Sequence, residues 1–154
     1  MTEPLTMPRS SPLKPIWVLL TIFMALLIIA ALMKVFEPRD IVPWRSEFAA
    51  AQAEAVEQNK PMLIYFTARW CGPCQRMATT TWADADVERA LQDFVPVKID
   101  IEQNPTLAIQ FGVEPLPAFV VLRLDEQTMR MTDGFYDSRD FITWLRGGPE
   151  RPLM

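Results

Sequence analysis

The chain has 154 residues, a formal net charge of −4 and no histidine, so it is long enough for one globular domain but short for two. Between Pro38 and Met154, 17 Asp and Glu residues outnumber 12 Lys and Arg residues, and an acidic surface without a basic patch argues against nucleic-acid binding. Because the commonest general base and metal ligand is missing, any chemistry must come from cysteine, carboxylates, lysine or tyrosine.

The N-terminal region contains one long apolar segment. Residues 1–15 are polar and rich in proline, and we expect them to form a disordered tail. Ile16 to Met33 is a run of 18 uncharged residues, which as a helix would extend about 27 Å, close to the thickness of a hydrocarbon core. A cleaved signal peptide is the alternative, but its apolar part is usually shorter and ends in small residues at a fixed spacing. The sequence therefore predicts a transmembrane anchor at residues 16–33.

Residues 34–43 form a short, proline-containing linker that would keep the following domain near the membrane surface. Basic residues flank the apolar run on both sides, so their number does not decide its orientation. A short basic tail before an apolar segment is, however, typical of a signal-anchor. We therefore expect a single-pass protein of a bacterial inner membrane, whose soluble domain is extracytoplasmic (periplasmic).

Helix and strand signals alternate through residues 44–147. Ser46 is expected to cap a helix over residues 47–58, and the apolar run Met62–Thr67 after Pro61 is typical of a buried strand. The remaining predicted elements are a helix from Cys74 to about Thr80, a helix capped by Asp84 that runs through Leu91 towards Phe94, a strand Val95–Asp100, a helix Thr106–Phe111, two paired strands Phe119–Leu124 and Thr128–Thr132, and a helix Arg139–Arg146 capped by Ser138. This alternation predicts one α/β domain with a mixed sheet, followed by a C-terminal tail at residues 148–154.

The chain contains two cysteines, Cys71 and Cys74. A structural disulfide across so short a loop would stabilise the fold by only about 2 kcal/mol. A tetrahedral zinc site needs about four nitrogen or sulfur ligands, which this chain offers only if two copies share the metal. A redox-active dithiol needs this spacing, so the pattern favours redox chemistry without a metal or cofactor.

The position of the two cysteines after a predicted strand favours that chemistry. A helix N-terminus at Cys71 would stabilise its thiolate, which is the form that attacks a disulfide. Gly72 and Pro73 suit the first helical turn, where the missing N–H of proline costs nothing. Cys74 would lie one turn along and could displace the mixed disulfide. Trp70 is expected to pack beside the site as an apolar shield, although it is also typical of an ordinary core or surface aromatic.

The segment Trp70 to Cys74 reads Trp-Cys-Gly-Pro-Cys, and with the downstream Leu116-Pro117 step it resembles the thioredoxin family over residues 44–147. The resemblance implies a thioredoxin-like fold, with a central mixed sheet flanked by helices, preceded here by the predicted transmembrane helix. Residues 97–105 resemble the family's central strand and the turn after it. The resemblance also implies that Pro117 is cis and that its loop, with Leu116, faces the dithiol, where backbone pairs with an extended substrate strand.

Three positions depart from the family near the dithiol, and one of them is Thr67, which stands where the family has a second tryptophan. The family's buried acid, six residues before the first cysteine, is Tyr65 here, and the residue after the cis-proline is Ala118 rather than the usual threonine. Lys98 matches the lysine that neighbours the acid, so Tyr65 and Lys98 are a candidate pair for proton handling. The alternative is a core tyrosine beside a snorkelling lysine. Without the acid, resolution would depend on water or on a carboxylate such as Asp100 or Glu102.

The resemblance implies a thiol–disulfide oxidoreductase that reduces protein disulfides or relays electrons to exported proteins. The Gly-Pro dipeptide and the absence of histidine favour reduction over oxidation. An exported reductase would need a membrane electron donor, because its compartment is oxidising. Two alternatives stay open: a peptide-binding or chaperone module with an idle dithiol, and an anchored thioredoxin that faces the cytoplasm.

Overall fold

The computed structural model describes residues 14–35, 39–123 and 128–148. The predicted tail up to residue 13, linker residues 36–38, the loop at 124–127 and the C-terminal residues 149–154 lie outside the described part. The chain divides into two units, Met1–Glu37 and Pro38–Met154.

The first unit contains the helix α1, Lys14–Val35. It includes the apolar run predicted as an anchor and also residues 14 and 15, which were expected to belong to the tail. The described side chains of α1 are those of residues 16–32, and the large hydrophobic ones among them are between 49% and 68% exposed. Among the residues that the structure describes, no helix is both long and apolar enough to cross a membrane.

The second unit is built on a four-stranded mixed sheet with the strand order β2-β1-β3-β4. β1 pairs in parallel with β2 and antiparallel with β3, and β3 pairs antiparallel with β4. The predicted mixed sheet and the predicted pairing of the last two strands are thus confirmed. The strands are β1 Met62–Thr67, β2 Val95–Asp100, β3 Ala118–Arg123 and β4 Thr128–Asp133.

Five helices complete the described part of the second unit, each within two residues of its predicted start. They are α2 Phe48–Gln58, α3 Gly72–Thr79, α4 Ala85–Ala90, α5 Pro105–Gln110 and α6 Ser138–Leu145. The predicted continuation of α4 towards Phe94 is wrong in type, because Leu91–Asp93 forms a 3-10 turn. A second 3-10 turn, Thr81–Ala83, lies between α3 and α4.

Two of the three predicted helix caps are displaced by one residue. Ser46 does not cap α2, whose N-cap is Glu47 with no side-chain hydrogen bond. Ser138 is the first residue of α6, and the cap is Asp137, whose carboxylate accepts from the Asp140 N–H at 2.9 Å. A carboxylate also interacts favourably with the helix dipole, which explains the choice of Asp137 over its serine neighbour. The predicted cap of α4 at Asp84 is confirmed.

β2 is not the central strand that the family resemblance suggested. β1 and β3 lie at the centre of the sheet, and β2 lies at its edge. Within the described residues, β2 is extended on its outer side by one isolated parallel bridge between Arg45 and Val97. Pro43, two residues before Arg45, has no backbone N–H with which to continue this pairing.

Alternate residues of β1 face two separate core layers, as the pleat of a strand requires. Leu63 and Tyr65 belong to one buried cluster, whereas Ile64 and Phe66 belong to the other. The first cluster also contains both cysteines. The dithiol is therefore continuous with the larger aromatic side of the core.

Residues 39–43, which the sequence assigns to the linker, lie against the domain. The Ile41 N–H donates to the Trp82 carbonyl at 2.8 Å, and Val42 is 7% exposed. The ordered domain therefore includes the second half of the predicted linker.

Candidate active site

Cys71 and Cys74 are joined by a disulfide at the start of α3. Cys71 is the N-cap residue of this helix, and its sulfur accepts a hydrogen bond from the Cys74 N–H at 3.2 Å. Both cysteines are 3% exposed. The free N–H groups and positive end of the helix dipole favour negative charge on a sulfur at the N-cap. This arrangement can stabilise a Cys71 thiolate when the disulfide is reduced.

The residues around the cysteines differ in how much the fold constrains them. Pro73 occupies the first turn of α3, where no N–H is required. A Cβ atom at Gly72 would meet no atom within 4 Å, so space does not require glycine there. Trp70 is 66% exposed, which leaves most of its ring available to a partner.

The loop before β3 contains two cis peptide bonds, Glu114–Pro115 and Leu116–Pro117. Pro117 is buried, and its carbonyl accepts from the Gly134 N–H at 2.8 Å. Leu116 is partly buried and packs against both core clusters. The cis bond before Pro115 was not predicted from the sequence.

Tyr65 lies inside an aromatic cluster that belongs to the same buried core as the two cysteines. The residue is 1% exposed, and its ring stacks on Phe119 with a centroid distance of 5.4 Å and an interplanar angle of 14°. Trp82 and Trp44 contact the same ring at centroid distances of 5.1 Å and 5.4 Å. The side chain is thus a component of the core.

Burial raises the pKa of the Tyr65 phenol above its ordinary value of 10.0. The negative charge of Asp40 raises this pKa further, whereas the side chains of Thr67 and Trp82 act in the opposite direction. The phenol consequently stays neutral at physiological pH and is a poor proton acceptor.

Lys98 lies beside Tyr65 because the two residues are partners in the parallel register of β1 and β2. Its ammonium group is 5.8 Å from the centroid of the Tyr65 ring and 3.3 Å from an Asp40 carboxylate oxygen. Asp40 also accepts hydrogen bonds from the Val42 N–H at 3.1 Å and from the Trp44 indole N–H at 2.9 and 3.0 Å. The lysine is therefore part of an ion pair with a fixed carboxylate.

Sequence reasoning missed Asp40 and Trp44, since it placed Asp40 in the linker and Trp44 at the edge of the domain. The available signal was a single acidic residue followed closely by Ile41, Val42 and Trp44, a pattern more typical of a packed segment than of a tether. Nothing in the spacing indicates that this segment meets Lys98, 58 residues further on.

A cavity of about 450 Å³ opens on one side of Cys74. Its walls include Tyr65, Lys98 and Asp100. The Asp100 carboxylate is engaged in the turn after β2, where it accepts from the Glu102 N–H at 3.0 Å. Glu102 itself is exposed and is not part of the wall. The structure thus brings Cys74, Tyr65 and Lys98 to one cavity.

The arrangement can carry out thiol–disulfide exchange. Two sulfurs at bonding distance on a helix N-terminus can accept and return two electrons. Among the side chains that the structure describes, no group of three His, Cys, Asp or Glu is placed to hold a metal ion.

Comparisons with known proteins agree with this geometry. A family model described as thioredoxin-like matches residues 43–124. A thioredoxin-like protein of Synechocystis is 33% identical over 102 residues, which cover 66% of this chain and 94% of that protein. The solution structure of a thioredoxin from Thermus thermophilus superimposes with a TM-score of 0.61 at 25% identity, covering 68% of this chain and 85% of that one.

Chloroplastic thioredoxin Y1 of Arabidopsis thaliana is 34% identical over 87 residues, which are 56% of this chain. The matched region is 49% of the plant protein, so the chain spans about half the length of this relative.

Proposed function

The chain belongs to the thioredoxin-like family, and its Cys71–Cys74 pair supports thiol–disulfide oxidoreductase activity; from this premise we propose that it reduces protein disulfides. The observation that carries the proposal is the position of Cys71 at the N-cap of α3, with Cys74 one turn along. In this reaction the Cys71 thiolate attacks a substrate disulfide and forms a mixed disulfide. The Cys74 thiolate then attacks Cys71, releases the reduced substrate and closes the disulfide.

The residues between and around the two cysteines favour reduction of a substrate over its oxidation. A dithiol becomes a strong oxidant when its reduced form is stabilised by additional interactions with the thiolate. The chain has no histidine to provide one, and Gly72 and Pro73 contribute no charge. The helix N-terminus then remains the main local source of stabilisation for the Cys71 thiolate.

A turnover assay tests the proposed reduction. The full-length protein, supplied with a chemical dithiol, should accelerate the reduction of insulin disulfides, whereas Cys71→Ser should not. The matched control is Thr79→Ser, an exposed position on α3 that leaves the dithiol intact. Equal rates for the wild-type protein and Cys71→Ser would contradict the proposal and favour a peptide-binding module with an idle dithiol.

We further propose that residues 16–33 anchor the protein in a membrane. The support comes from the sequence, since this run of 18 residues is uncharged and would extend about 27 Å as a helix. The apolar side chains described along α1 are about half exposed or more, and these side chains need an apolar environment. Membrane-extracted protein should therefore have the mass of the uncleaved chain. A soluble product lacking residues 1–33 would contradict this.

The soluble domain is proposed to face the exported side of a bacterial inner membrane, where a membrane electron donor would regenerate the dithiol. A short basic tail before an apolar segment supports this orientation. Fusion of the C-terminus to alkaline phosphatase, which is active only after export, should give activity. Fusion to a fluorescent protein that matures only in the cytoplasm should give no signal, and the reverse pair of results would establish the cytoplasmic orientation.

A further inference from the structure

Resolution of a mixed disulfide requires Cys74 to lose its proton while it is almost completely buried. Cys74 is 3% exposed, and burial in apolar surroundings opposes formation of a thiolate. The cavity that Cys74 lines is therefore a place where compensating charge can act. The ionisable side chains in the wall of this cavity are those of Arg45, Glu47, Tyr65, Arg69, Lys98 and Asp100.

Most of these groups are engaged elsewhere or screened by solvent. Arg45 forms a two-pronged ion pair with Glu54, at 2.5 and 2.9 Å. Asp100 is held by the turn that follows β2. Glu47 and Arg69 are exposed, and water and salt weaken their fields. Tyr65 stays neutral. Two partly buried cations line the wall, Arg45 and Lys98, and Lys98 is the one whose ammonium lies against Tyr65, 5.8 Å from its ring centroid.

The lysine side chain is held in place by a carboxylate from another part of the chain. The side chain of Lys98 is 37% exposed and that of Asp40 is 19% exposed, at an ammonium-to-carboxylate distance of 3.3 Å. Asp40 is itself fixed by two donors, the Val42 N–H and the Trp44 indole N–H. A lysine side chain is flexible and loses rotamer entropy when it is held in place, so an ordered anchor decides where its charge lies.

We propose that Asp40 is a positioning residue for the resolving thiol, which holds the Lys98 ammonium at the wall of the Cys74 cavity so that this charge stabilises the Cys74 thiolate. The proposal rests on the proposed disulfide exchange and deepens it. Asp40 acts through Lys98 and does not touch the reacting atoms.

The step in which the pair acts is the second half of the exchange. The Cys74 thiol releases its proton to water in the cavity, and its electron pair forms the bond to Cys71. The bond between Cys71 and the substrate sulfur breaks, and the substrate leaves as a thiolate that is protonated by solvent. The pair of cysteines is oxidised and the substrate is reduced by two electrons. Lys98 keeps its proton throughout and supplies charge only.

The direction in which the pKa of Cys74 changes distinguishes a positioning role of Asp40 from a direct effect of its charge. In a Cys71→Ser background Cys74 is the remaining cysteine, and the ultraviolet absorbance of its thiolate gives its pKa. If Asp40 positions Lys98, Asp40→Asn lets the ammonium move into solvent, and the pKa of Cys74 rises by about one unit. If Asp40 acted only as a nearby negative charge, the same variant would lower this pKa.

The second variant removes the cation. Lys98→Met should raise the pKa of Cys74 by a similar amount, and the double variant Asp40→Asn with Lys98→Met should raise it no further. Asp40→Glu, which keeps the carboxylate, should restore part of the wild-type value. The matched control is Glu54→Gln, which breaks the other ion pair at the cavity and should leave the pKa of Cys74 unchanged.

A kinetic measurement on the full-length dithiol protein in detergent completes the test. A symmetrical nitrobenzoate disulfide releases one coloured thiol when Cys71 attacks and a second when Cys74 resolves. Since a rise of one pKa unit lowers the thiolate fraction tenfold and raises nucleophilicity about threefold, Asp40→Asn should slow the second phase about threefold near neutral pH and leave the first unchanged.

Each outcome bears on one of the two proposals. A lowered or unchanged pKa of Cys74 in Asp40→Asn overturns the positioning role, as does full additivity with Lys98→Met. Failure of the insulin assay, with the pKa shifts intact, would instead overturn the proposed reductase function. Should Asp40→Asn fold poorly, the pKa of Cys74 in Lys98→Met still decides, because an unchanged value refutes the role of the ion pair.

Discussion

Replacing Tyr65 by aspartate tests how far the aromatic core constrains this position. The wild-type side chain is 1% exposed and contacts Phe119, Trp82 and Trp44, with ring centroids 5.1 to 5.4 Å away. Removal of a buried aromatic ring costs about 3–5 kcal/mol. A buried carboxylate adds about 1.4 kcal/mol for each unit by which its pKa is raised in the folded state. Tyr65→Asp should therefore lose about 4–6 kcal/mol, a large part of the total stability of a domain.

The pH dependence of this loss follows from the sign of the pKa shift. Burial raises the pKa of an aspartate above its unfolded value of about 3.9, so the folded state binds more protons than the unfolded state above that pH. The free energy of unfolding of Tyr65→Asp should consequently fall as the pH rises from about 4 through the folded pKa. The loss relative to the wild-type protein should be larger at about pH 8 than at about pH 5.

Urea unfolding, followed by tryptophan fluorescence at both pH values, measures the effect. Tyr65→Phe is the matched control, since it keeps the ring and should cost less than about 1.5 kcal/mol. A loss below about 1 kcal/mol for Tyr65→Asp would refute the role of the ring in the core. An equal loss at the two pH values would show that the new carboxylate is already charged at about pH 5, as a stabilising charge on Lys98 would make it, and that burial does not dominate.

Three further predictions follow from individual contacts. Cys74→Ser should accumulate mixed disulfides with protein substrates on non-reducing gels and Cys71→Ser should not, and the opposite pattern would reverse the roles of the two thiols. Glu54→Gln should lower stability by less than about 1 kcal/mol at neutral pH. Because the Arg45 hydrogen bond lowers the pKa of Glu54 below 4.5, this difference in stability should disappear as the pH falls through the folded pKa. A difference that persists in acid would refute the ion-pair explanation. Gly148→Ala should cost about 1–3 kcal/mol in urea unfolding, because its Cβ would lie 2.5 Å from the Thr143 carbonyl oxygen, whereas Gly72→Ala should be close to neutral.

Local sequence signals predicted most of the fold. The apolar run Met62–Thr67 defines β1 to the residue, because a strand buried on both faces leaves little choice of boundary. The helix caps are less determined, since Asp137 and Ser138 are adjacent residues that can both cap and only their spatial setting selects one. The place of β2 at the edge of the sheet depends on the segment around Pro43, 52 residues before the start of the strand, and no local pattern reveals it.

In the candidate site, too, some features follow from the local sequence and others depend on contacts between distant segments. Cys71 and Cys74 are close in sequence, so the helix that joins them also determines their geometry. The resemblance to the thioredoxin family predicts that Lys98 lies next to Tyr65, and the register of two parallel strands brings these residues together. Asp40 joins them through contacts that span 58 residues, in a segment that reads as a tether when the sequence is considered alone.

The surroundings of Tyr65 explain why a carboxylate would be placed at position 40. An acid at position 65 would be surrounded by aromatic rings and would require a strong compensating charge to remain ionised. At position 40 the carboxylate is partly solvated, accepts two further hydrogen bonds and still reaches Lys98. Both partners of the ion pair therefore lose less hydration than a fully buried pair would. The core gains a packed ring at Tyr65, and a charge is retained at the wall of the Cys74 cavity.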